Sequence, residues 1–578
     1  ALKGTTIGTV TDATGHYFLK NLPEGNFILE VSSVGYKTVT RNVTLKKGKT
    51  LEEDFEIEED AIALDGVVVS ANRSETTRRM APTLVNVVDL KLFETTNSST
   101  LSQGLNFQPG VRVETNCQNC GFQQVRINGL DGPYTQILID SRPVFSALSG
   151  VYGLEQIPAS MIERVEVMRG GGSALFGSSA IAGTINIITK EPLRNSGQLS
   201  HTITSLGGSS SFDNNTSLNA SLVTDDHRAG LYIFGQNRYR SGYDYDGDGF
   251  TELPKLKNQT VGFRSYLKTS TYSKLTFEYH HMQEFRRGGD MLNRPPHEAH
   301  IAEQLQHSID GGSLKFDYFS PDEKNRLSVF ASAANTDRDS YYGPGNDPLK
   351  AYGKTTDLTA MGGAQYVHTF DKCFFMPSDL TAGLEYNRDR LKDNMWGYNR
   401  HTDQTVNIYS AFLQNEWKND RWGILIGGRL DKHNMVDNVI FSPRANLRFN
   451  PTQNINLRLS YSSGFRAPQA FDEDMHIENV GGTVAMIERA KDLKEEKSQS
   501  FSVSADMYHR FGAFQTNLLI EGFYTRLTDV FVLGKPYDRG DGILVKTRSN
   551  GPGAKVMGLT LEGKVAYLCL LYTSDAAD

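Results

Sequence analysis

The sequence predicts a mainly β protein in three parts: a small β-sandwich, an α+β globule and a long antiparallel β-barrel that crosses a membrane. Three observations carry this. No apolar run in the 578 residues approaches the ~18–20 that a membrane-spanning helix needs, and mean hydropathy is −0.42. From residue 197 onward, apolar and polar side chains alternate over long stretches rich in Tyr and Phe. The connections between those stretches are short and long by turns. A membrane barrel reconciles all three, because its strands alternate, stay hydrophilic on average, and join through tight turns on one rim and long loops on the other.

Each part has its own texture. Residues 1–60 hold short alternating runs at 8–12, 15–19, 26–31 and 36–45, punctuated by Gly, Asp and Pro as in a small sandwich. They end in the acidic stretches Glu52-Glu53-Asp54 and Glu58-Glu59-Asp60, which read as a solvated linker. Residues 61–195 mix strands at 136–140 and 165–168 with an amphipathic helical piece at 100–105. Residues 196–568 form the barrel. Short links at 225–228, 271–273, 320–325, 419–420 and 451–453 alternate with long ones at 241–258, 286–303, 339–356, 464–494 and 533–555. This spacing holds about 16 strands, against 22 in barrels that enclose a folded domain, so about six are expected to be missing. Residues 569–578 break the alternation and read as adapter-derived sequence. No charged, apolar leader precedes Ala1, so a secretion signal is expected to have been removed or to lie outside the chain. With 60 Lys and Arg against 67 Asp and Glu, the net charge of −7 argues against nucleic acid as a partner.

The middle part carries ordered motifs. Val125-Arg126-Ile127-Asn128-Gly129 is followed by the strand 136–140 and Arg142-Pro143. Then come Ile157-Pro158-Ala159-Ser160-Met161-Ile162-Glu163-Arg164-Val165-Glu166-Val167-Met168-Arg169-Gly170 and the run from Ser173 to Lys190. In this order they resemble the plug of a TonB-dependent outer-membrane receptor, here residues 73–195. Upstream, Leu64, Asp65, Val67, Val68 and Val69, within the linker 61–72, resemble that family's TonB box. They form an extended β-branched segment suited to adding a strand to a partner's sheet edge. Residues 1–60 are similar to the carboxypeptidase-regulatory-like domain of Bacteroidetes receptors, which carries no catalytic residues.

The resemblance implies an outer-membrane transporter of a Gram-negative bacterium, not an enzyme, with its N-terminal domain in the periplasm and lipid around its wall. Ligand binds outside, between loops and plug. TonB, energised by ExbB and ExbD, pulls the box, and the plug rearranges. Arginines that lock family plugs to the wall correspond to Arg126 and Arg169, with Glu496 and Glu562 as expected wall partners. Ligand-facing candidates are Asn128, Arg142, His297, His300 and His476. His476 follows Phe465-Arg466-Ala467-Pro468, an element of haem and siderophore receptors, but the second haem box is only Lys491-Asp492-Leu493.

Two further groups carry chemistry of their own. Cys117 and Cys120 form a CxxC. Zinc normally needs a second pair, and Cys373 and Cys569 are isolated, so in an oxidising compartment a small structural disulfide is expected. Asp244, Asp246, Asp248 and Glu252 follow an EF-hand loop at its first nine positions, but Lys255 stands where the twelfth-position Glu belongs; a structural calcium ion is the expectation there. No cofactor is otherwise required. The expected function is TonB-dependent import of a scarce bulky chelate such as an iron–siderophore. Haem or cobalamin import, oligosaccharide or peptide import with a surface lipoprotein, and a barrel adhesin are the alternatives.

Overall fold

The computed structural model describes residues 1–567 except 12–14, 21, 33–35, 37, 58–65, 118, 144–154, 156, 345–350 and 481–482. The tail 569–578 and the box residues Leu64 and Asp65 lie outside the described residues.

The N-terminal part pairs β1 (Gly25–Val31) antiparallel with β2 (Val39–Leu45). Leu2 bridges Leu29, and Leu2, Leu29 and Val43 make a small core. Among the described residues this is a two-stranded sheet with Ile7, Leu19, Leu22, Phe27, Leu45 and Phe55 packed against its core. The described parts of the 8–12 and 15–19 runs lie outside the strands. The domain rests on the short-turn rim: Thr6 N donates to Thr271 O at 2.8 Å, and Thr9 Oγ1 lies 3.2 Å from His227 Nε2.

Residues 67–189 form the α+β domain. Its elements are β3 (Val67–Val68), β4 (Thr76–Thr77), β5 (Val85–Asp89), α1 (Leu90–Thr95), α2 (Leu101–Leu105), β6 (Val111–Cys117), β7 (Phe122–Ile127), β8 (Thr135–Ile139), β9 (Arg142–Pro143), β10 (Ile162–Arg169), α3 (Ser173–Phe176) and β11 (Gly183–Thr189). The central sheet runs β5-β10-β11-β8-β9, with β8 and β11 parallel and the other pairs antiparallel. Asp89 starts α1 by accepting Leu92 N–H at 2.9 Å, which satisfies one of the orphan donors of a helix start. Phe93, Leu101, Val165 and Ile185 pack between helices and sheet. Hairpin β6–β7 projects separately, its tip carrying Cys117 and Cys120.

Among the described residues, sixteen strands form the wall around this domain. They begin with β12 (Ser196–Ser205), β13 (Phe212–Val223), β14 (Ala229–Arg240), β15 (Lys255–Ser270) and β16 (Ser273–Gly289). They continue with β17 (Ile301–Phe319), β18 (Asn325–Pro344), β19 (Tyr352–Cys373), β20 (Met376–Met395) and β21 (Arg400–Lys418). Next come β22 (Trp422–His433), β23 (Ile440–Thr452) and β24 (Ile455–Arg466). The connection after β24 carries β25 (Glu478–Val480) and β26 (Thr483–Arg489), and β27 (Glu496–Phe511) and β28 (Phe514–Thr528) resume the wall. The last long loop carries β29 (Phe531–Leu533), β30 (Tyr537–Asp538) and β31 (Leu544–Asn550) before β32 (Ala554–Tyr567). Every wall neighbour is antiparallel, from β12 through β24 to β27, β28 and β32.

The wall inverts the rule for soluble proteins. Among its largest fully buried side chains are Arg238, Arg286, Arg287, Arg338 and Arg448, whereas Leu384, Tyr409, Leu413, Ile426, Phe441 and Val503 face outward and exposed. Because strand side chains alternate, one register sends the polar set to the lumen and the apolar set to lipid. Aromatic pairs at the short turns mark the lipid boundary on that rim, with Trp422 stacked on Phe449 at 4.3 Å and Phe375 on Trp417 at 5.7 Å. On the opposite rim β26 pairs parallel with β31, so the two last long loops share one small sheet over the lumen.

Candidate functional site

The segment that enters the α+β domain is tied down residue by residue. Val68 is fully buried beside Leu138, Met168 and Phe176. The buried Glu166 carboxylate accepts from Val69 N–H (2.9 Å), Ser70 N–H (2.8 Å) and the Ser70 hydroxyl (2.7 Å). Asn72 donates to Glu416 of the wall at 2.7 Å, and Arg73 meets Glu385 at 2.5 Å between the rings of Phe176 and Phe412. Only the two-residue ladder β3–β4 holds Val67 and Val68 as strand. A loosely paired extended segment therefore sits just ahead of a firm anchor.

Among the described residues, further buried ion clusters join the inner domain to the wall. Arg169 spans two carboxylates, Nε to Glu521 at 3.0 Å and Nη2 to Glu562 at 2.7 Å. Glu155 faces Arg286 at 2.8 Å, Arg240 at 3.1 Å and Arg238 at 3.4 Å. Burial, the largest influence, pushes its carboxyl up, but the three guanidiniums together overcome that and hold it at about 2. Asp140 meets Arg264 at 2.5 Å; burial again opposes, and Arg264 with the Thr189 hydroxyl holds it at about 2.

The expected residues are distributed unevenly. Arg169 and Glu562 meet. Arg126 does not reach the wall: it pairs with Glu114 at 2.5 Å and Asp131 at 2.9 Å inside its own domain and stays one-third exposed. Glu496 instead accepts the Tyr134 hydroxyl at 2.9 Å and lies 3.7 Å from Arg466. Arg142 is buried with its guanidinium 5.3 Å from the Phe330 ring, packed against the wall rather than facing the outer mouth. Asn128 is a half-buried turn residue at φ 53 beside Arg169, lining the gap between the inner domain and β23–β28. Sequence reasoning missed Glu521 and Glu166, since one carboxylate in an alternating strand looks like any other, and Glu155, which lies in the connection between β9 and β10.

At the outer mouth, His297 Nδ1 lies 2.8 Å from the Tyr352 hydroxyl and exposed His300 lies 2.6 Å from Asp290. His476 turns inward between the rings of Phe122 and Tyr342, each at 5.5 Å. There it meets the hairpin tip. Cys117 and Cys120 are not joined by a disulfide, which corrects the expectation. Both thiols are engaged across the gap instead: Cys117 Sγ lies 3.1 Å from Glu303 Oε2, and Cys120 Sγ lies 3.5 Å from His476 Nε2. The hydrogen bond with Cys120, helped by His476, draws the Cys117 thiol down to about 7 against burial and Glu303. Burial opposes a charge on His476, but Cys117 and Glu303 outweigh it and push the imidazole up to about 10. In the loop after β14, the carboxylates of Asp244, Asp246 and Glu252 converge within 4.8 Å. Asp248 turns away from them and accepts Phe250 N–H at 2.8 Å.

A charged inner domain locked inside an inverted barrel invites comparison with known proteins. Residues 182–577 match the TonB dependent receptor-like, beta-barrel family, 77–184 the TonB-dependent Receptor Plug Domain and 1–69 the CarboxypepD_reg-like domain. The chain belongs to the TonB-dependent receptors. A vitamin B12 transporter BtuB of Vibrio vulnificus strain CMCP6 is 24% identical over 425 residues, 71% of this receptor and 64% of that protein. The BtuB of strain YJ016 is 33% identical over 174 residues, 29% of the receptor and 28% of that chain. The receptor thus spans less than two thirds of these curated relatives. Among solved structures, the siderophore receptor PirA from Acinetobacter baumannii superposes with a TM-score of 0.70 at 19% identity, covering 85% of this chain and 78% of its own. A ferric enterobactin receptor, PfeA, mutant from Pseudomonas aeruginosa gives 0.68 at 19% identity over 83% and 77%. These likenesses share the fold: a mainly β receptor with a plug inside a barrel, whose place is the outer membrane.

Proposed function

We propose that the receptor takes up a scarce, bulky chelate of the iron–siderophore class across the outer membrane, driven by TonB with ExbB and ExbD. The observation that carries this reading is the plug held in the lumen by buried ion pairs behind a weakly paired strand. A plug so seated blocks passive diffusion, and the β3 segment offers a strand edge to a puller. The named relatives are transporters and receptors, so the reading is transport rather than catalysis. Cobalamin is the second reading, because the curated relatives are vitamin B12 transporters. Haem has less support, since His297 and His300 are engaged by Tyr352 and Asp290. A calcium ion on the Asp244–Asp246–Glu252 loop belongs to the same proposal and is checked by calcium titration of the purified receptor.

The test is uptake of radiolabelled ferric siderophores and of cobalamin by cells carrying the receptor with and without TonB. The reading expects accumulation of a ferric chelate that vanishes without TonB while surface binding persists. Accumulation that survives loss of TonB overturns it. Uptake of cobalamin alone moves the assignment to the second reading, and uptake that needs a co-expressed surface lipoprotein to an oligosaccharide or peptide importer.

A further inference from the structure

We propose that Cys117, Cys120, His476 and Glu303 form a binding site for a divalent metal ion of the zinc class, clasping plug, barrel wall and outer loop together. The four ligand atoms come from three separate elements: the tip of hairpin β6–β7, the loop end of β17, and the loop after β24. They all lie within 4.8 Å of one another. A tetrahedron with metal–sulfur bonds of about 2.3 Å and metal–nitrogen or metal–oxygen bonds of about 2.0 Å has edges of roughly 3.3–3.8 Å. Three of the site's six edges are 3.1 Å for Cys117–Glu303, 3.5 Å for Cys120–His476 and 3.6 Å for His476–Glu303. The preformed cage is thus already near the required size.

The donor chemistry selects the ion. Two thiolates and an imidazole favour a borderline or soft metal, while the carboxylate disfavours a purely soft one such as Cu(I); the combination suits Zn²⁺. Binding displaces to solvent the protons that the two thiols and the coordinating imidazole nitrogen carry at the working pH. The occupied site holds one dication against two thiolates and one carboxylate, a net charge of −1.

The surroundings are built for this approach. Gly288 on β16 lies under the hairpin tip, and a Cβ there would come within 1.9 Å of the Asn119 carbonyl oxygen. Only glycine lets the cysteine turn reach the wall. Around it, Cys120, Phe122, Ala302, Tyr342, Ile477 and Met486 form one apolar cluster that excludes water and raises the strength of charge-based coordination. The CxxC supplies half of a zinc site in sequence; the fold supplies the other half from residues 303 and 476. The proposal does not depend on which chelate the receptor carries.

The experiment is cobalt titration of the detergent-purified, reduced, chelator-stripped receptor, followed by back-titration with Zn²⁺. One equivalent of Co²⁺ should give thiolate-to-metal charge-transfer absorption and intense tetrahedral d–d bands, both lost on adding Zn²⁺. Cys117→Ser with Cys120→Ser should abolish these signals. His476→Gln and Glu303→Gln should each weaken zinc at least as much as loss of an outer-shell partner does, about 10- to 100-fold. Should the serine variant fail to fold, X-ray absorption of the zinc-loaded native receptor decides: two sulfur and two nitrogen or oxygen neighbours support the site. Absence of the charge-transfer band in the reduced receptor overturns it. So does a spectrum that persists in the folded serine variant, or an unreduced mass that shows Cys117 and Cys120 disulfide-bonded in metal-replete membranes.

Discussion

Arg169 is the residue on which the plug's seat turns. Its guanidinium is shared by Glu521 and Glu562, both buried, and Glu562 also accepts from the neutral amide of Asn86 at 3.3 Å. Arg169→Ala would leave the buried Glu521 and Glu562 carboxylates without their ion pair, which costs about 3–5 kcal/mol. The expected outcome is a lower urea midpoint for the plug and entry of an antibiotic that the native receptor excludes. Arg126→Ala should change the same midpoint by less than about 1 kcal/mol, because its pairs are partly exposed and internal to the plug. Glu155 supplies a pH test. Its folded carboxyl is held at about 2, below the unfolded value, so its stabilisation is present in full above about 4.5 and fades as pH falls toward 2. The melting-temperature gap between native receptor and Glu155→Gln should therefore stay level from pH 8 to about 5.5 and shrink below about 4.5.

At the scale of elements, the entry segment divides into a part that can leave and a part that must not. The ladder β3–β4 is two residues long, whereas Ser70, Asn72 and Arg73 hold fixed partners in plug and wall. Val67→Pro should abolish uptake and spare surface binding, since proline removes an N–H that strand addition uses. Glu166→Ala should leave the Val69 and Ser70 donors without their carboxylate and speed hydrogen exchange across 66–70, with the wall unchanged. Legibility follows from the same physics. Alternation, turn length and the ordered plug motifs exposed the wall strands, and Thr100 as the helix boundary before α2 was readable too. The Arg169–Glu562 pair was reachable only because Arg169 sits in a motif. Glu521, Glu155 and the Cys117–Glu303–His476 grouping depend on which strands become neighbours across hundreds of residues, which no local pattern encodes. Arg126 and Arg142 show the reverse, for a motif position says nothing about which way a side chain turns once β7 and β9 are packed.

For the whole molecule, the inverted wall means that the lumen, not the lipid side, carries the chemistry. Arginines that no soluble core would hold are buried there because plug carboxylates, wall carboxylates and backbone carbonyls surround them. The outer loops act jointly, since β26 and β31 are hydrogen-bonded along five residues; neither can open without breaking or carrying the other.

The Arg169–Glu562 pair also sets a timetable. Its members stand 393 positions apart, so drawing them together costs chain entropy on the order of 5 kcal/mol, and that cost is met only as neighbouring strands zip in sequence. The plug emerges early in synthesis, yet its counter-charge arrives with β32, the last strand of the described wall. Until then Arg169 has Glu521 at most, and the plug is an unanchored passenger. Deleting 554–567 should leave the plug open to protease while β13–β24 remain protected. The charge pair thereby works as an inspection step, reporting from inside the lumen that the surrounding wall has been laid down as far as β32.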